Sequence, residues 1–478
     1  MWNPITNGRG APGASISFGV SLAAVAAFSI LSFGYAARPE TNDFERIKDV
    51  WMLVSFLICF LAWAAGYLRI AEEILSRSIG TFRPRQILPF LAPIAFLLLA
   101  SFPVGSRDVF AYAFYGKMWG HYGANPYAYA PSQFSSDSWY RLLQAWWKEG
   151  PTGYGPLFIL QTWLVYFLAG NNLVANVAAY KVFNLLLLSA GAYLWCAFGA
   201  AADSQNRIWR LRLVLWASSP LILFEGLSSA HNDTAMAVFL LAALFFWARA
   251  RWLWFGVFWA LSFWYKWYSI ALLPVFAFWS AKRVGQLSTL MRVTLSALAG
   301  ALLATAVALM PFAGQATSII AKPLSIRVGS AIFPTELPPT LWPLFLIFFE
   351  SGWFEIAQGR YAFDVSRYLI ALALIVVLFV RRSTTPYRIE VVAEDCMFVL
   401  LVLSGFIVTV LWPWHLLAAC SFGLLSHRIP IVWLSIGIML AAMLSYFLTF
   451  SLATLGVGLT AIAIVFFRRR STKSVGQQ

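Results

Sequence analysis

Long apolar stretches recur along this chain, beginning with Ile16 to Tyr35, Trp51 to Leu68 and Leu88 to Val104. A stretch of about 20 apolar residues matches the hydrocarbon thickness of a bilayer, and backbone that enters lipid must satisfy its own amides and carbonyls, so it becomes helical. Mean hydropathy is +0.74 and only 11% of residues are charged. Those values exclude a soluble fold and predict an all-α polytopic membrane protein. The links between apolar stretches are short for 478 residues, which leaves one membrane-embedded body and no room for a separate soluble domain.

The formal net charge of +15 does not point to nucleic acid, because Lys and Arg fall in short clusters at the ends of apolar segments, as the positive-inside rule requires. With these clusters as cytoplasmic markers, the chain makes about fourteen crossings of the cell membrane, with both termini cytoplasmic. Arg69, Arg77, Arg83 and Arg85 mark one inner loop, Arg207, Arg210 and Arg212 a second, Arg249 and Arg251 a third, and Arg381 and Arg382 a later one. For these to agree, Leu157 to Ala169 is a re-entrant or surface-lying helix and Leu213 to Phe224 a single outward span. Trp252 to Trp264 and Ser269 to Trp279 then form a hairpin with Lys266 at its apex. The first apolar run is too long for a signal-peptide core and is expected to stay as a membrane helix. Cys59, Cys196, Cys396 and Cys420 lack CxxC spacing and read as small core residues. Residues 1–87 are expected to form two transmembrane helices and a cytoplasmic loop. Residues 88–312 form a catalytic module with a first long outer loop at 105–156, and residues 313–478 a second outer loop and the last helices.

The first outer loop, at roughly fifty residues, is polar, aromatic and broken by Gly and Pro. It opens with Ser106-Arg107-Asp108 and carries Asn125-Pro126-Tyr127 and Tyr154-Gly155-Pro156-Leu157. The same topology delivers Glu225, His231-Asn232-Asp233, Lys266, Arg327 and His415 to that side, and no comparable polar set falls on the inner side. Alone, each has an ordinary role as interfacial anchor, snorkelling cation or helix cap. Most of the 23 Trp, 41 Phe and 18 Tyr likewise read as interfacial anchors. Together the polar residues supply what sugar transfer from a lipid-linked phosphate requires. Asp108 is the carboxylate to take the acceptor hydroxyl proton. Arg107, Lys266, Arg327 and His415, with His231 and Asp233, are candidates to hold the donor's phosphate and sugar. Tyr112, Tyr127, Tyr154 and Asn125 are candidates to touch the sugar or the acceptor. No Asp-x-Asp, Walker or Rossmann motif occurs, which disfavours nucleotide-sugar chemistry. No cofactor is required, and no ligand spacing demands a metal, although a divalent ion stays open. A lipid or sugar transporter or flippase is the competing class, but neither broken helices nor repeated halves show in the sequence. A polymerase or ligase acting on lipid-diphosphate glycans is the nearest enzymatic rival.

In their order these motifs resemble the type C glycosyltransferases, specifically the polyprenol-phosphate-mannose-dependent mannosyltransferases of actinobacterial lipoglycan synthesis. Ser106-Arg107-Asp108-Val109 with Tyr112 and Gly116, Asn125-Pro126-Tyr127, Tyr154-Gly155-Pro156-Leu157, Ala230-His231-Asn232-Asp233, Lys266 and Trp412-Pro413-Trp414 carry the likeness. The resemblance implies inverting transfer of a hexose, mannose, from a polyprenyl-phosphate donor to a glycan or glycolipid acceptor on the extracytoplasmic side, within membrane lipid. It implies Asp108 as general base and binding roles for His231, Asp233 and Lys266. His415 stands where the family pattern has a tyrosine, so the resemblance assigns it no role.

Overall fold

The computed structural model describes residues 12–36, 50–76, 88–200, 206–325, 356–407 and 412–447. Among these the regular structure is helical throughout. The first half runs α1 (Pro12–Ala36), α2 (Val50–Ser76), α3 (Leu88–Ala100), α4 (Asp108–Gly120), α5 (Pro156–Ala169), α6 (Leu173–Ala200), α7 (Asn206–Ala217) and α8 (Pro220–Leu223). The second runs α9 (Asp233–Ala248), α10 (Trp252–Tyr265), α11 (Leu273–Val284), α12 (Leu287–Leu309), α13 (Ala316–Ser325), α14 (Ile356–Arg382), α15 (Ile389–Val402), α16 (Leu417–Leu424) and α17 (Ile429–Leu444). Four segments are long and apolar enough to cross a membrane: Ile16–Gly34, Val50–Leu75, Leu173–Phe198 and Leu287–Ile320. A bent pair, Leu211–Ala217 with Pro220–Ser228, makes up to five among the described residues. Pro89–Ala100, Pro156–Ala169, Asp233–Ala248 and Ile429–Leu444 are apolar but shorter. The protein is thus an all-α polytopic membrane protein. The expected fourteen crossings draw in part on these short helices and on residues outside the described set, among them the 326–355 stretch.

Helix α6 shows how such a chain sorts its residues. Val174, Val182, Leu186 and Tyr193 are exposed, on an apolar stripe at helical spacing that suits lipid. The opposite face buries Asn176, Lys181 and Asn184 against protein. Polar groups at membrane depth need internal partners, and Lys181 and Asn184 have them. The Lys181 ammonium donates to the carbonyls of Leu98, Leu99 and Ser101, satisfying the C-terminal end of α3. Cys196 lies on the exposed stripe. It is therefore not a core residue as expected, whereas Cys59, Cys396 and Cys420 are buried.

The expected single span from Leu213 to Phe224 is instead broken and bent by 48°. Pro220 cannot donate the helical hydrogen bond, so α7 stops at Ala217, and the Ser219 hydroxyl accepts the Ile222 amide to start the next turn. A wider π turn follows at Phe224–Ser228 and places Glu225 inside the protein. The sequence expectation of no broken helix is corrected by this element.

Helix α10 packs between α9 and α12. Gly256 makes this possible, since a Cβ there would collide with the Ala297 carbonyl of α12. The first turn of α10 meets the first turn of α11 where Phe255 and Phe276 lie 4.9 Å apart. The hairpin with Lys266 at its turn is therefore present. Beyond its open end Arg382 pairs with Asp395 at 2.8 Å and Glu394 at 3.2 Å, and the Trp279 indole donates to Asp395 at 2.8 Å. A charged cluster thus occupies the end of the bundle away from Lys266. It was not expected, because Glu394 and Asp395 sit three and two residues upstream of the apolar stretch read as Met397 to Leu411.

Candidate active site

The presumed loop 105–156 contains a buried helix. Residues Asp108 to Met118 of α4 are all buried, because α4 is laid against α5 and α6 rather than against water. The Asp108 amide donates to the Ser106 hydroxyl at 3.1 Å, which fixes the start of the helix and puts the carboxylate at its positive end. The Trp147 indole donates to Asp108 Oδ1 at 2.9 Å and the Tyr154 hydroxyl to Oδ2 at 3.4 Å. Trp147 also stacks on Tyr154, with ring centres 5.0 Å apart. Gly155 brings this segment onto the end of α10, where a Cβ would collide with the Trp264 carbonyl.

A second helix start faces the first. Before α9, Ala230 takes a left-handed φ of 58°, a conformation that costs a non-glycine residue about 1–3 kcal/mol and that clusters at functional sites. That kink turns His231 inward, and the Asn184 amide clamps it by donating to the Gly226 and His231 carbonyls, each at 3.0 Å. His231 Nδ1 lies 3.9 Å from Asp108 Oδ2, and Nε2 lies 3.5 Å from Glu225 Oε2. Trp414 stacks on the imidazole at 3.8 Å. The Tyr446 hydroxyl donates to the other Glu225 oxygen at 2.8 Å. Burial, with the Lys266 ammonium adding to it, pushes the His231 imidazole well below its ordinary value and keeps it neutral.

Asp233 is the first residue of α9 and fully buried, and Lys266 reaches it at 2.6 Å. The Tyr112 hydroxyl spans the two helix starts, 3.5 Å from His231 Nδ1 and 3.4 Å from Asn232 Oδ1. His415 joins from the edge, with Nε2 3.4 Å from the Tyr268 hydroxyl, while Nδ1 accepts the Trp412 amide. The structure therefore brings Asp108, Tyr112, Tyr154, His231, Asp233 and Lys266 together, with His415 alongside. Tyr127 is one step removed, donating to the Tyr154 carbonyl at 2.8 Å. Asn125 is turned away, since its oxygen accepts the Tyr127 amide and its nitrogen donates to Gln315. Arg107 lies beside Asp108 and lines a neighbouring cleft. Arg327 lies outside the described residues. Trp147 was missed, for nothing in the sequence distinguishes its indole from the other Trp residues.

Several buried polar atoms here have no hydrogen-bond partner among the described residues: Glu225 Oε2, His231 Nε2, Asn232 Nδ2, Asp233 Oδ1 and Thr234 Oγ1. Buried polar groups are nearly always satisfied, so a run of exceptions between Glu225 and Thr234, leading into the start of α9, marks a surface shaped for a polar ligand. Asp108, His231 and Glu225 are not disposed as a metal-holding group, and no such group of three or more occurs among the described residues.

An all-helical membrane body with a buried carboxylate, imidazole and ammonium centre at helix ends defines an integral membrane protein with a polar ligand site. The chain belongs to the MptA_B family, whose model, described as alpha-(1->6)-mannopyranosyltransferase, N-terminal domain, matches residues 14–318. That span includes Asp108, His231, Asp233 and Lys266. Among curated proteins it is 26% identical over 155 residues to an alpha-(1->6)-mannopyranosyltransferase of Mycobacterium tuberculosis, covering 31% of this chain and 25% of that protein. It is also 26% identical over 151 residues to a protein of Mycolicibacterium smegmatis named as a probable alpha-(1->6)-mannopyranosyltransferase, covering 30% of this chain and 26% of the relative. The matched segment spans about a quarter of the length of each relative.

Proposed function

We propose that the protein is a membrane mannosyltransferase that uses a polyprenyl-phosphate-linked sugar and a lipid-linked or cell-surface glycan acceptor, with its site on the extracytoplasmic side. Family membership supports the class, and the observation that carries the reaction is the placement of Asp108. Its carboxylate sits at the positive end of α4, oriented by Trp147 and Tyr154 and facing the polar groups of α9.

In this reading the acceptor hydroxyl gives its proton to Asp108 as its oxygen attacks the anomeric carbon from the face opposite the phosphate. The new carbon–oxygen bond forms, the bond to the phosphate oxygen breaks, and the lipid phosphate leaves with that electron pair. Configuration inverts. Lys266, held by Asp233, is a fixed positive charge in the chamber. The neutral His231, between Asp108 and Glu225, hydrogen-bonds the sugar or acceptor. Tyr112 and Tyr154 wall the chamber.

One observation favours a second reading. The broken α7–α8 pair is a feature shared with transporters, which build midplane sites from discontinuous helices. Purified protein in proteoliposomes supplied with polyprenyl-phosphate mannose and a glycolipid acceptor separates the two. Release of polyprenyl phosphate with a mannosylated acceptor is the expected result, and donor movement across the bilayer without cleavage would replace this reading with the transporter.

A further inference from the structure

Glu225 is a buried carboxyl that the transfer scheme leaves unused. It lies in the π turn at Phe224–Ser228, shielded from solvent. The His231 imidazole ahead of α9 and the Tyr446 hydroxyl beyond α17 flank its two oxygens. Among the described residues no Lys or Arg pairs with it, and His231 is its one ion-pair neighbour.

Hydrogen-bond direction fixes where the hydrogens sit. The Tyr446 hydroxyl donates to Glu225 Oε1 at 2.8 Å. The Tyr112 hydroxyl donates to Asn232 Oδ1 at 3.4 Å, so its oxygen, 3.5 Å from His231 Nδ1, is an acceptor toward that nitrogen. Asp108 Oδ2, 3.9 Å from Nδ1, is an acceptor as well. Both atoms facing Nδ1 therefore require a hydrogen on it. A neutral imidazole has one ring hydrogen, which leaves Nε2 a bare lone pair. Nε2 and Glu225 Oε2 lie 3.5 Å apart, both buried and both without a hydrogen-bond partner. Two facing lone pairs repel, and one hydrogen between them satisfies both. Asn232 Nδ2, Asp233 Oδ1 and Thr234 Oγ1 then remain as the atoms open to a ligand.

We propose that Glu225 is a positioning residue: as the neutral acid it donates from Oε2 to His231 Nε2 and so fixes the Nδ1–H tautomer, which aims its hydrogen toward Asp108. The proposal rests on the mannosyl-transfer reading for its effect on rate. With Nδ1–H toward it, beside the Trp147 and Tyr154 donors, Asp108 stays an oriented carboxylate able to take the acceptor's proton. The other tautomer sets a lone pair against that carboxylate, which turns it away or loads it with a proton beforehand. Glutamine separates the neutral acid from an ionised Glu225. Its oxygen can accept from Tyr446 while its NH2 donates to Nε2, but it cannot replace a carboxylate that accepts from Nε2–H.

The test uses the full chain in lipid nanodiscs, its histidine nitrogens isotopically labelled, at about pH 8, above the ordinary imidazole range. The chain has four histidines, and His231→Gln identifies the His231 resonances by their loss. Nitrogen NMR spectra are expected to show hydrogen on Nδ1 and a bare Nε2 in the unaltered protein and in Glu225→Gln, and mixed tautomers in Glu225→Leu. Mannosyl transfer is measured in parallel. Glu225→Leu is expected to lower kcat about 10²-fold with donor and acceptor KM little changed, and Glu225→Gln to restore most of it. Hydrogen on Nε2 in the unaltered protein overturns the proposal, and that measurement needs no variant to fold. A Glu225→Gln protein that melts normally yet loses as much turnover as Glu225→Leu also overturns it. If the tautomer follows Glu225 as expected but the unaltered protein transfers no mannose, the tautomer control stands and the transfer reading falls. If transfer proceeds and Glu225→Leu turns over normally, the positioning role falls and the transfer reading stands.

Discussion

At the scale of single residues, the centre depends on pairs whose members cannot be changed independently. Lys266 and Asp233 are 2.6 Å apart, with side chains only 14% and 0% exposed, so removing the ammonium alone leaves a buried carboxylate without its counter-charge. Lys266→Met is expected to lower stability by about 3–5 kcal/mol, and adding Asp233→Asn to restore most of it. Thermal unfolding in detergent checks this; equal destabilisation by the single and double variants would show that the pair is not coupled. Acid acts on His231 in the same sense. Its folded value lies well below the ordinary 6.5, so the unfolded chain binds the proton first, and the contribution is intact above about pH 6.5 and lost as pH falls below it. Between about pH 7 and pH 5, His231→Gln should flatten the decline in melting temperature, and an unchanged slope would contradict the assignment. Asp108, His231, Asp233 and Lys266 were legible in the sequence because ionisable residues are conspicuous in an apolar chain. Trp147 was not, because nothing in the sequence says which way a short turn faces. The orientation of Asn125 toward Gln315 escaped for the same reason.

At the scale of elements, helix type and approximate position followed from apolar runs, while bends and burial did not. The hairpin with Lys266 at its turn was readable because Lys282 and Arg283 return the chain to the end from which it left. The break before Pro220 was readable in principle, since Ser218-Ser219-Pro220 is a start signal inside an apolar run, yet composition alone carried the run through it. Helix α4 was hidden because its lysine and aromatic hydroxyls look like loop. In the fold Lys117 meets Asp137 at 2.5 Å and lies 4.3 Å from the Trp139 ring centre, which lets a polar helix be buried. Close packing makes a further prediction. Gly256→Ala should cost about 1–3 kcal/mol by forcing α10 from α12, whereas Gly19→Ala, where a Cβ meets nothing within 4 Å, should be neutral. Melting temperatures of the two variants decide it, and equal shifts would contradict the close crossing.

At the scale of the whole molecule, the long helices α1, α2, α6 and α12 give the body its membrane span, and the short ones bring helix starts and polar side chains into its interior. Two such starts, at Asp108 and Asp233, turn their positive ends toward one buried chamber that α6 clamps from behind through Lys181 and Asn184. The charged cluster around Arg382, Glu394 and Asp395 ties the other end of the bundle together, while Glu225, His231, Asn232 and Asp233 hold buried polar atoms without partners at the chamber. The proposed transfer depends most on Asp108, so the decisive measurement is mannosyl transfer by Asp108→Asn protein in proteoliposomes, with folding checked by its melting temperature. A loss of about 10²–10⁴-fold in turnover with an unchanged melting temperature is the predicted result. Turnover equal to that of the unaltered protein would contradict the placement of the base and the reaction built on it.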